Sequence, residues 1–131
     1  MGAVEEAATR LRSQIASRTV YEYAVPDGDL PPRYLVVFGS EGSEESTRMS
    51  QTVNVATPAV WVTSVSRHPE PEVAAREAAW GAQKSRAALR NYRPDGTYAF
   101  RAESSQPARH DETASVSTFY AVEQFSRRTS L

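Results

Sequence analysis

Residues 21–39 are "YEYAVPDGDLPPRYLVVFG". Two stretches of apolar and aromatic residues flank a Pro-Asp-Gly-Asp-Leu-Pro-Pro segment. Alternating or massed apolar residues of this length predict strands. The middle segment cannot join a ladder, because its three prolines lack donors, and Gly28 admits a positive φ. The chain therefore makes a stiff crossing between two strands, at about 19–25 and 33–39.

Working towards the N-terminus, residues 3–17 predict a helix. Val4, Ala7, Ala8, Leu11 and Ile15 fall on one narrow stripe, with Glu5, Glu6, Arg10 and Arg12 outside it. A single apolar stripe needs a surface to lie on, and the strands supply a sheet. Towards the C-terminus, "SEGSEESTR" (40–48) is polar and acidic and predicts an exposed loop. In "QTVNVATPAVWVTSV", Val53, Val55, Ala59, Trp61 and Val65 share one side of a period-2 pattern, while Val60 and Val62 make the second half apolar on both faces. Pro58 predicts a bulge, a corner or two separate strands there.

Residues 70–92 are rich in strong helix formers, with prolines at the start where missing donors cost little. The helix stops before Pro94, in the turn sequence "RPDG". Two further strands are expected at about 97–103 and 114–125, joined by the polar loop "SSQPARHDE". On the long helix, Ala74, Ala78, Ala82, Ser85, Leu89 and Tyr92 form one small-residue face. Val73, Trp80 and Ala87 lie on roughly the opposite side, among Glu77, Lys84 and Asn91. That second patch has two readings: Trp80 packs under the N-terminal helix, or Val73, Trp80 and Ala87 form a subunit interface, where Trp is enriched.

At 131 residues the chain reads as a single domain over 1–131, 40% apolar and 24% charged, with a formal net charge of -1. That balance gives no basic footprint for nucleic acid. No apolar run reaches the ~18–20 residues that cross a bilayer, and "MGAVEEAATR" has no signal-peptide pattern. Without cysteine, thiol catalysis, disulfides and thiolate metal sites are excluded. The two histidines give little chemistry. His68 stands at a helix start, where capping is the ordinary role. His110 is followed by Asp111 and Glu112, without HxH or HExxH spacing. No G-x-S-x-G elbow or P-loop is present. Catalytic, cofactor and metal residues are therefore expected to be absent, with a site using His110 and Asp111 as the enzyme alternative.

The order α-β-β-β-β-α-β-β is carried by the proline crossing before Tyr34–Phe38, a long helix ending "RAAL" (86–89) and a closing strand "SVSTFYAVEQF". In this order and spacing, over nearly the whole chain, it resembles the tail terminator proteins of long-tailed bacteriophages. The resemblance implies an α+β fold, a mixed and mostly antiparallel sheet with an N-terminal helix and one long helix on one face. It implies a homohexameric ring in the virion, made in the bacterial cytoplasm, that ends polymerisation of the tail tube protein and meets the head-completion protein. Another neck component, a head-closure or adaptor protein, or a tube-related subunit is the alternative. In such a ring Glu41, Glu44, Glu45 and Arg48 would face the lumen or tube, repelling DNA that passes without specific binding.

Overall fold

Thr19–Glu22 (β1) and Arg33–Ser40 (β2) flank the proline crossing and pair in parallel, Thr19 opposite Tyr34 and Glu22 opposite Val37. A parallel pair requires the chain to return the length of the strands before re-entering, and local bonds guide that return. Tyr23 takes a positive φ of 69° while its N–H donates to Val37 O at 2.7 Å. Gly28 sits at φ 101°, a region that L side chains rarely adopt. Arg67 then fixes the far end, its backbone N–H donating to Pro32 O at 2.8 Å and its Nη2 to Leu30 O at 2.7 Å.

The computed structural model describes residues 2–40, 55–56, 59–94, 98–114, 116–127 and 129–130. Its remaining elements are Ala3–Gln14 (α1), Val55–Ala56 (β3), Ala59–Arg67 (β4), Pro71–Leu89 (α2), Arg101–His110 (β5), Thr118–Ser126 (β6) and Thr129–Ser130 (β7). Five strands form one sheet in the order β1-β2-β4-β6-β5, antiparallel except for β1–β2, and β3 pairs with β7 separately. This is the expected α+β arrangement, with α1 lying over β1 and β2 and α2 over β4, β6 and β5. No helix among the described residues is long and apolar enough to cross a membrane.

Element ends moved in ways that have local causes. α1 stops at Gln14, and the buried Ile15 leaves the helix with its N–H on Leu11 O at 2.7 Å. α2 ends at Leu89, followed by Asn91 at φ 63°, the left-handed conformation that terminates helices. The largest difference concerns "SSQPARHDE". Most of it is strand: β5 runs through Ser104, Pro107 and His110 instead of ending near 103. An edge strand needs only one apolar face or none, so its polar residues hid it. The register slips between Ala102 and Ser104 and between Gln106 and Arg109, and Pro107 sits inside the second slip, as a residue without a donor must in an edge strand. β3 and β4 are separate strands in different sheets, while Pro58 itself lies outside the described residues.

Residues of β4 alternate as read: Val60 and Val62 face the helices and are fully buried, while Ala59, Trp61 and Val65 face the other way. Val53 lies outside the described residues. The main core joins Val4, Ala7, Leu11 and Ile15 of the α1 segment to Leu35, Val37, Val60, Val62, Leu89, Phe100 and Phe125. Each fully buried aliphatic or Phe side chain there contributes about 1.5–3 kcal/mol of transfer free energy. A buried ion pair, Arg127 with Glu6 at 2.9 Å, ties the end of β6 to α1, and the Arg127 guanidinium lies 5.0 Å from the Phe100 ring centroid.

Candidate interaction surfaces

The α2 face divides as its sequence indicates. Ala74, Ala78, Ala82, Ser85 and Leu89 are buried on it, whereas Tyr92, half-buried, lies beyond the end of the helix. Gly81 lets the backbone come closest, because a Cβ there would lie 2.1 Å from Ser64 Oγ on β4. On the outward side Val73 is partly covered and Ala87 exposed, while Trp80 remains 40% exposed. Trp80 does not tuck under α1. Its ring is instead flanked by cations, Arg18 at 4.9 Å and Lys84 at 5.6 Å from the centroid.

Arg18 comes from the short turn between α1 and β1, and only 7% of it is exposed. Its Nη2 donates to the backbone carbonyl of Glu77 at 3.1 Å. Arg33, at the first position of β2, pairs with the Glu77 carboxylate. Together with Ser17 these groups line a notch of about 240 Å³. Burial, and then the charge of Arg33, pull the Arg18 pKa down, and Glu77 opposes them. A guanidinium remains protonated through such a shift. The notch is therefore cationic, with one carboxylate against two guanidiniums.

Two further surfaces escaped the sequence reading as sites. Because both helices cover one face, the other face of the sheet carries Tyr21, Tyr34, Val36, Phe38, Trp61, Val65, Tyr120 and Val122, none of them fully buried. Phe38 stacks on Trp61 at 5.6 Å and Tyr21 meets Tyr34 edge-on at 5.6 Å. Burial raises the Tyr34 pKa, ahead of an opposing effect of Arg67. The apolar residues on both faces of β4 were the available signal. Between α2 and β5, a groove of about 480 Å³ has a floor of Ala79, Ala82, Pro107, Ala108 and Ala121. At its wall, Glu123 accepts bonds from Ser105 Oγ at 2.7 Å and Arg86 Nη1 at 3.2 Å.

The histidines take ordinary positions. His68 Nδ1 accepts the Glu70 backbone N–H at 3.0 Å, a bond at the start of α2. His110 packs 5.1 Å from the Phe119 ring, while the Asp111 carboxylate accepts bonds from the Thr113 N–H and hydroxyl. Those two bonds, the hydroxyl's first, hold the Asp111 pKa below its ordinary value. Among the described residues, no group of three His, Asp or Glu side chains is placed to hold a metal ion. Glu41, Glu44, Glu45 and Arg48 lie outside the described residues. Compared with known proteins, the chain matches no family model and no curated sequence.

Proposed function

We propose that this chain is a tail terminator of a long-tailed bacteriophage, a structural subunit without a reaction of its own. Six copies close a ring on the head-proximal end of the tail tube. The ring stops addition of tube protein and offers its other side to the head-completion protein, while DNA passes through the lumen unbound. The observation that carries this reading is the architecture itself. A short helix, a proline crossing between adjacent strands and one long helix build a mixed sheet with both helices on the same face. The same arrangement is what the resemblance implied.

The distribution of apolar surface agrees. A domain that leaves Trp80 on one side and an aromatic-rich sheet face on the other has surfaces suited to partners. Heterologous contacts between unlike patches generate rings when the rotation closes. Cryo-electron microscopy of virions carrying this chain tests the proposal: the expected result is one ring at the neck. The same density repeated along the tail would replace this reading with a tube protein, and its absence from virions would end both.

A further inference from the structure

We propose that the Arg18–Arg33–Trp80 notch receives the β5–β6 turn of a second copy, with Glu112 seated against the two guanidiniums and Val116 covering the Trp80 ring. This rests on the ring reading and names the contact that would join neighbours. The notch holds Arg18 and Arg33 against the single carboxylate of Glu77, so it is one acidic group short of balance, and Lys84 stands on the same Trp80 ring. Arg33 is half exposed, with its Nη1 on the Glu77 carboxylate. Trp80, 40% exposed beside it, is the apolar part of the same surface.

The turn carries the complementary pair. Glu112 is exposed and Val116 is 40% exposed. Local bonds hold the turn's first residues, with Asp111 N–H on Thr118 O at 2.7 Å and Thr113 N–H on the Asp111 carboxylate at 3.0 Å. The position of this turn also matches the notch. Arg33 pairs with Ser66, Ser66 with Phe119, and Phe119 with His110, so notch and turn stand at one level of the sheet near its opposite edges. Rotation about an axis parallel to the strands preserves that level. It carries the turn of one copy to the notch of the next, which is the condition for a head-to-tail ring.

Charge reversal of the full-length chain tests the contact by sedimentation velocity over a wide concentration range. Glu112→Lys places like charges together and should weaken self-association at least about tenfold, as should Arg33→Glu. Each variant should melt as a folded protein. An equal mixture of the two should assemble again, because every contact then pairs opposite charges. A purely structural role for either residue would not be rescued by mixing. Native-like association of Glu112→Lys, or a mixture that fails to assemble, overturns the contact while leaving rings possible. Recovered pairing that never closes into rings supports the contact and removes the ring reading. A native chain that associates neither free nor on tail tubes removes both.

Discussion

The two ends of the helix-covered face of the sheet are packed on different terms. At the end bearing Ser40, Ala59 and Ser126, large apolar groups fill the space: Val4, Leu11, Val60, Leu89, Phe100 and Phe125 are all essentially buried. At the end bearing Arg33 and Thr118, the sheet offers Ser64, Ser66 and Ala121 to a helix face of Ala74, Ala78, Gly81, Ala82 and Ser85. Small residues bring α2 down until its backbone sits on β4. The Ser85 hydroxyl solves its own burial by donating to Gly81 O at 2.8 Å. The first end gains its stability from apolar area; the second is governed by how close two backbones can approach. Helical phase sets Trp80 on the side away from that contact, where the indole stays exposed with Arg18 laid along it.

The comparison breaks first at Phe125. Phe125→Ala should cost about 3–5 kcal/mol of stability, the transfer term plus the cavity. Urea unfolding should show a lower midpoint with unchanged slope, and a cost below about 1 kcal/mol would mean that this end is not the main core. Next comes Gly81→Ala, which should destabilise by about 1–3 kcal/mol through overpacking against Ser64. In a Ser64→Ala background the penalty should shrink, since the ordinary preference of a helix for Ala over Gly, about 1 kcal/mol, is then less opposed. If Gly81→Ala stabilises the native sequence, close approach does not limit this end.

Trp80→Ala should cost the isolated chain only about 1 kcal/mol, the scale of exposed cation–π contacts. A loss of about 3–5 kcal/mol in a thermal melt would instead make Trp80 a core residue. The smallest effect belongs to Asp111, whose carboxyl is held low by Thr113. Its contribution is present above the unfolded value of 3.8 and is lost as pH falls through the lower folded value. An NMR titration should find Asp111 ionising below ordinary aspartates, and Thr113→Val should return it towards them.

Periodicity and turn chemistry in the sequence were sufficient for the two helices, the crossing, the division of α2 into a buried and an outward face, and the two-faced β4. These are local properties: the prolines remove donors wherever they stand, and a stripe at helical spacing is apolar before it meets a partner. The sequence was silent where the cause was not local. β5 is polar enough to read as a loop, and becomes a strand only because β6 supplies its ladder and because a sheet edge tolerates Pro107 between register slips. That β1 and β2 run parallel depends on where the crossing returns, which Arg67 fixes from 35 residues beyond Pro32. The notch is the same kind of fact. Ser17, Arg18, Arg33, Glu77 and Trp80 come from a turn, a strand and a helix far apart in the chain. No spacing in one dimension marks them, and only the approach of α2 to the sheet gathers their charges around one ring.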